Sequence, residues 1–330
     1  MFQMAFGDSQ ESGEVVEKED KSDMSWMKPL ALFSEKKLVN LCAPMVRYSK
    51  LPFRTLVRKY QCDIAYTPMI VSNCFVCSQK ARDSDFATCK GDRPLITQFA
   101  ASNATDLADA AEIVANYSDG VDLNCGCPQR WAIQEGYGAC LIKKPELVKD
   151  MVTQVRNRVS VDENFTVSIK IRIHKDLRET VDLCQKAEKA GVSWIAVHGR
   201  TVDQRCEPVN VEALRLVKDS LTVPVIANGD IRSVEDAKRI QEVTGVDGVM
   251  AARGILQNPA MYAGYDATPV QCVRDWLDIA LSQGLSFTTF HHHLMYMLEK
   301  VMSRSERRLF NSLSSITAVL DYLREYYGIG

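Results

Sequence analysis

The segment Asn124-Cys125-Gly126-Cys127-Pro128 sets two thiols two residues apart. A cysteine thiol, with an ordinary pKa of about 8.5, is protonated at neutral pH and can donate a proton. Cys127, braced by Pro128, is the candidate acid, and Cys125 alternates away from it. The competing reading is two thiols packed as small hydrophobes. C-x-C supplies two metal ligands with no companion pair at finger spacing, so no metal is expected. Lys170 and Arg172 alternate with Ile169 and Ile171, which puts both cations on one face of a strand. A lysine there needs an anionic partner, or it serves as a Schiff-base nucleophile. His198-Gly199-Arg200-Thr201, Asn228-Gly229-Asp230 and Ala252-Arg253-Gly254 complete the set. Gly229 and Gly254 let backbone N–H groups approach an anion, and Arg253 adds a charge-assisted fork. The chemistry implied is proton donation beside a phosphorylated ligand.

Elements must bring these residues together. Eight apolar or β-branched runs recur: Val39–Met45, Cys62–Met69, Pro94–Ala100, Gly120–Gly126, Thr166–Ile173, Trp194–Arg200, Val223–Asp230 and Gly248–Gly254. Several are apolar on both faces, as strands of a buried parallel sheet are. Helical patterns lie between them: Leu107–Tyr117, a helix opened by Pro145, and Leu177–Ala190 stopped at Gly191. Ser233 and Asp236 read as a capping box. Eight β/α alternations predict an α/β fold, a TIM (β/α)8 barrel over residues 38–265. An open doubly wound sheet would want a glycine-rich turn after its first strand, and CAPMVRYSKLPF has none. In a barrel, Gln98, Asn124, Cys127, Lys170, His198, Asn228 and Arg253 fall at C-terminal strand ends, where barrels carry their chemistry.

After Asp266 the strand rhythm stops. VRDWLDIALSQG, TFHHHLMYMLEKVM and FNSLSSITAVLDYLREYYG read as helices, so 266–330 is a small all-helical domain. The His291–His293 run reads as a polar helix face. Residues 1–37 are an acidic leader, expected to be disordered.

Composition sets limits. The 330 residues carry 40 Lys and Arg against 42 Asp and Glu, net −2. No domain is uniformly basic, so an anionic partner must be held by a local patch. One candidate is Lys300, Arg304, Arg307 and Arg308, whose spacing puts them on one helical face as a phosphate-contacting stripe. Eleven scattered cysteines without a secretory leader suit reduced thiols in an intracellular, cytoplasmic or nuclear protein. The pair Cys74 and Cys77 forms C-x-x-C without redox or zinc context. No membrane span is predicted, and a monomer is expected.

The blocks CAPMVRYSKLPFR, ITQFAA, GVDLNCGCPQ, VSIKIRI, AVHGRT, VIANGDI and MAARGILQNP occur in order. In that sequence they resemble the tRNA-dihydrouridine synthases over residues 38–265. They look nearest to the eukaryotic branch acting at positions 20a and 20b of the tRNA D-loop. The resemblance implies an FMN enzyme that reduces the C5=C6 bond of uridine, with NADPH or NADH as reductant and tRNA as partner. It implies Cys127 as proton donor to C5. Pro44, Met45 and Val46 would pack on the flavin ring, with Gln98 and Lys170 as polar contacts. His198, Asn228, Gly229, Asp230, Ala252 and Arg253 would hold the ribityl phosphate. Asn124, Arg172 and Arg200 remain for the nucleotide, and the helical tail resembles the family's RNA-binding domain. One segment departs: after HGRT this chain has VDQRCEPVNVEAL, without the Tyr-Gly and Ala-Asp-Trp that many members carry. Aromatic stacking on RNA is therefore unsupported at that point. The alternatives are an FMN barrel acting on a small pyrimidine or enone, a Schiff-base aldolase, and a catalytically idle RNA-binding module.

Overall fold

The computed structural model describes residues 26–159 and 164–329. The strands are β1 (Val39–Cys42), β2 (Ile64–Tyr66), β3 (Ile70–Val71), β4 (Leu95–Ala100), β5 (Gly120–Cys125), β6 (Thr166–Arg172), β7 (Trp194–His198), β8 (Val225–Asn228) and β9 (Gly248–Ala251). Every pairing is parallel, and β2 pairs with both β1 and β4. Eight strands thus close into the expected barrel, and β3 adds a short pairing to the end of β4. Closure leaves no edge among the eight, so β4, β5, β8 and β9 are buried at every position.

Register stacks the polar residues. Gln98 pairs with Asp122, and Asp122 with Ser168. Two residues further on, Asn124 pairs with Lys170. Above them Arg172, His198, Asn228 and Met250 run across β6 to β9. The polar residues therefore form tiers that climb towards the C-terminal mouth.

The helices Pro145–Arg158 and Leu177–Lys189 match the sequence pattern. The helix Val234–Thr244 begins at Ser233, whose hydroxyl accepts from the Asp236 N–H. Asp236 reaches back to the Arg232 N–H, one residue short of a reciprocal box.

The leader expectation fails in its second half. Residues 29–35 form a helix, with Leu32 buried and Phe33 packed on Trp194 at 5.5 Å. Trp26 donates to Asp119 at 2.8 Å. Apolar side chains on an acidic background thus cover the N-terminal end of the barrel. Residues 1–25 lie outside the described residues.

The C-terminal region has the helices Val270–Ser282, Phe287–Met297, Arg304–Asn311 and Ile316–Tyr327. The last expected helix is thus divided in two. Residues 312–315 interrupt it, and Ser315 caps the second part. Trp276 meets Phe53 of the barrel helix Leu51–Arg58, and Asp275 takes Lys59 and the Tyr60 hydroxyl at 2.6 and 2.7 Å. The histidine run is not a polar face: His291 and His293 are buried. His293 stacks on Phe53 with ring centres 4.6 Å apart, and His291 meets the Phe310 carbonyl at 3.0 Å. Among the described residues, no helix is long and apolar enough to cross a membrane.

Candidate active site

A cavity of about 200 Å³ opens at the C-terminal mouth of the barrel, with Gln98, Asn124, Cys127, Lys170, Arg172 and His198 among its walls. Pro44, Val46 and Met69 give it an apolar side. Met45, expected beside them, is instead buried, with its N–H donating to Ser49.

Cys127 is held from two directions. The side-chain Oδ1 of Asn124 accepts the N–H groups of Gly126 and Cys127 at 3.1 and 2.9 Å. From the other side, the Ala139 N–H donates to the Cys127 carbonyl at 3.0 Å. Gly138 lies so close that a Cβ there would sit 2.8 Å from that of Cys127. Cys127 keeps partial exposure, whereas Cys125 is buried. Burial and nearby Asp122 push the Cys125 thiol well above its ordinary range. Strand alternation thus separates a cavity thiol from a packing thiol.

Lys170 forms part of the cavity floor and donates to Asn228 at 2.8 Å. Burial pushes its pKa down to about 8, against the pull of Asp122. Asp122 was missed in the sequence. It is fully buried, and burial raises its carboxyl to about 6. Its position two residues before Asn124 on one strand was the available signal.

A second pocket, about 70 Å³, shares His198 with the first and is lined by the ends of β8 and β9. Asn228, Gly229, Asp230, Ala252, Arg253 and Gly254 all face it, as their strand-end positions predict. The reason for the glycines differs from the expectation. Gly229 has φ of +116°, and a Cβ there would meet Val209 at 2.5 Å. At Gly254 it would meet the Ile231 carbonyl at 2.2 Å. The protein's own packing requires both.

The field around this pocket is cationic. Burial, then Lys170, Arg172, Arg200 and Arg253, push the His198 imidazole down to about 2. The Arg200 Nη1 lies 3.2 Å from the His198 Nε2, so Nε2 is the acceptor and the proton sits on Nδ1. Among the described residues, no carboxylate pairs with Arg253; its Nη1 lies 3.9 Å from the Cys206 sulfur. An anion would complete this pocket.

Two expected nucleotide contacts are already engaged. Arg200 is 1% exposed and locked onto Asp230, so it cannot also meet a nucleotide. Arg172 donates to the carbonyls of Gly126, Thr201 and Gln204 at 3.1, 2.8 and 3.0 Å, tying the Cys127 loop to the segment after β7. That departing segment therefore supplies carbonyl anchors.

Against this geometry, residues 41–323 match the dihydrouridine synthase (Dus) family model. The chain belongs to the dihydrouridine synthase family. It is 62% identical over 301 residues to the human tRNA-dihydrouridine(20a/20b) synthase (NAD(P)+)-like protein, covering 91% of this chain and 95% of that one. It is 45% identical over 293 residues to the Schizosaccharomyces pombe tRNA-dihydrouridine(20a/20b) synthase, covering 88% and 89%. It is 42% identical over 295 residues to that of Saccharomyces cerevisiae, covering 88% and 80%.

In this dihydrouridine synthase the basic cluster of the tail is rearranged. Ser303 opens a new helix with a reciprocal capping box to Glu306, so helical register does not run from Lys300 to Arg304. Lys300 lies in the preceding turn. Arg304, Arg307 and Arg308 line a cavity of about 530 Å³ with Tyr48, His292 and Tyr296. Tyr48, missed in the sequence, follows the β1 end, so this cavity borders the barrel mouth. Cys74 and Cys77 are exposed on the helix Ser72–Cys77, away from all three cavities.

Proposed function

We propose that this protein reduces the C5=C6 bond of uridine in the tRNA D-loop, at positions 20a and 20b. The cofactor is FMN, the reductant NADPH or NADH, and the setting intracellular. The observation that carries the reading is the placement of Cys127. A partly exposed thiol stands over a cavity floored by Lys170 and joined through His198 to a cation-lined pocket.

The residues present fit a flavin phosphate. Among the described residues Arg253 has no carboxylate partner, and the cations around His198 favour an anion in that pocket. Asn228, Gly229, Asp230 and Ala252 would line the ribityl phosphate, with Pro44, Val46 and the Met45 backbone beside the ring. These residues would hold FMN, whose reduced form would provide the hydride for C6 of the uracil. Cys127 supplies the proton to C5 from its Sγ. Lys170 and Gln98 offer N–H groups to a ring edge that gains negative charge. Residues 266–330 form the tRNA-binding unit, with Arg304, Arg307 and Arg308 holding phosphates beside Tyr48.

The alternative, a flavin barrel acting on a small pyrimidine, leaves that arginine cavity without a role. Two measurements test the proposal. The purified protein absorbs near 450 nm, and cells lacking it lose dihydrouridine at 20a and 20b. A colourless protein, or unchanged dihydrouridine at those positions, overturns it.

A further inference from the structure

Asn124 is itself held from below. Its side-chain N–H donates to the Gln98 Oε1 at 2.8 Å, and the Gln98 Nε2 donates to the Asp122 Oδ2 at 2.8 Å. The other Asp122 oxygen accepts the Ser168 hydroxyl at 2.7 Å. Asp122, Gln98 and Ser168 have no solvent exposure and Asn124 has 9%, so water does not satisfy this chain.

An amide side chain has a donor end and an acceptor end, and it can be turned over. The two ends of this relay cannot. The N–H groups of Gly126 and Cys127 only donate. An ionised carboxylate only accepts. Between these fixed ends, two amides in series satisfy every group in one orientation alone. Reversing either sets donor against donor or acceptor against acceptor in a buried site.

We propose that Asp122 is a positioning residue that sets the direction of the Gln98–Asn124 relay and so holds the Cys127 loop for proton donation. It touches neither substrate nor thiol; it acts through the two amides. This rests on the reading of Cys127 as the acid. Asp122 also lies in the electrostatic surroundings of Lys170, and the competing role is simply to offset that charge.

The test uses the flavin-loaded protein with two substitutions. Asp122→Leu removes every acceptor at this point. Asp122→Asn is nearly isosteric but gives Gln98 an uncharged and weaker acceptor, so the relay keeps the direction that the Gly126 and Cys127 N–H groups still impose and loses its charged anchor. Hydrogen exchange at the Gly126 and Cys127 amides is measured, since both are bonded to Asn124. Flavin reduction by NADPH and flavin reoxidation by tRNA are timed separately. Both variants are expected to exchange these amides at least tenfold faster. Reoxidation by tRNA slows at least tenfold, and flavin reduction changes less. Wild-type exchange at both amides overturns the proposal, and Asp122→Asn decides it if the leucine variant does not load flavin. Slower flavin reduction with unchanged exchange also overturns it and assigns Asp122 to charge balance. If wild-type protein makes no dihydrouridine while the variants still loosen both amides, the functional reading fails and the relay stands.

Discussion

The Nη2 of Arg200 lies 2.6 Å from each carboxylate oxygen of Asp230. Asp230 takes up positive φ, 54°, right after Gly229, and its second oxygen also accepts the Val209 N–H at 3.2 Å. Arg200 sends its Nε to the Glu207 carbonyl. One buried guanidinium therefore joins β7, the β8 end and the segment between them. Removing it leaves Asp230 unpaired at the rim of the pocket. Arg200→Ala is expected to lose about 2–3 kcal/mol, below the 3–5 of a fully buried pair because Asp230 keeps solvent contact. Arg200→Lys does not restore the fork. Burial alone would raise the Asp230 carboxyl, but the Arg200 hydrogen bonds and charge hold it below its ordinary value. The pair's stabilisation is thus present above about pH 4 and lost as pH falls through the depressed value. Denaturant melts at pH 7 and pH 3 check this, since the difference between wild type and Arg200→Ala should shrink in acid.

Cys127→Ala removes the thiol and leaves Asn124 bonded to the loop backbone. Dihydrouridine formation should fall at least a hundredfold, while the 450 nm absorbance and flavin reduction by NADPH persist. General acids contribute about 10²–10⁴ in rate. Activity within tenfold of wild type would place the acid elsewhere. Cys125→Ala, inside the barrel wall, should affect stability and not the proton step.

Lys170 tests the electrostatics of the floor. With its ammonium pushed down to about 8, the cation is lost as pH rises through that value. Flavin reduction is expected to fall on the alkaline side of about 8. Arg stays charged to much higher pH, so Lys170→Arg should carry the falling limb upward even if the rate itself drops. An identical limb in both proteins would exclude Lys170 as its source.

The barrel was legible because each buried strand is a short run apolar on both faces, and such runs betray themselves without a partner. Strand ends then located Gln98, Asn124, Cys127 and Lys170 around one cavity. What could not be read was pairing at a distance. Arg200 and Asp230 stand 30 residues apart, and either alone looks like a free ligand. Residues 29–35 were hidden by averaging, since acidic neighbours masked Leu32 and Phe33. The tail was misread for the opposite reason: apolar periodicity carries across Ser312–Ser315, although Ser303-x-x-Glu306 signals a fresh helix start.

His293 ties the tail to acid stability. It is buried between Phe53 and Trp276, and its Nδ1 has no hydrogen-bond partner among the described residues. Burial pushes its pKa down to about 3. An unfolded histidine titrates near 6.5. Below that pH the unfolded chain takes a proton that the folded one refuses, so stability falls from about pH 6.5 to pH 3. His293→Phe keeps a ring against Phe53 and cannot titrate. It gives up a hydrogen bond with the Tyr48 backbone, a change within about 1 kcal/mol at neutral pH. Its unfolding midpoint should therefore move to more acid pH. An unchanged acid midpoint would mean that other groups dominate.

The tail cavity gives the clearest separation between an RNA substrate and a small one. Arg304, Arg307 and Arg308 converge there with Tyr48 and Tyr296, and Glu299 meets Arg307 only at 3.9 Å. Phosphate contacts of this kind release counterions, so affinity falls with salt in proportion to their number. Each arginine changed to alanine should weaken tRNA binding and lower the slope of log K against log salt by about 1. All three lie on the helix Arg304–Asn311 and none of them lines the mouth cavity, so flavin reduction by NADPH should be retained in the triple variant. Tyr48→Ala should weaken binding without changing the slope, because stacking on a base carries no counterion. Unchanged slopes in the arginine variants would move the RNA contact to another face, and unchanged affinity in all four would favour a small-molecule substrate.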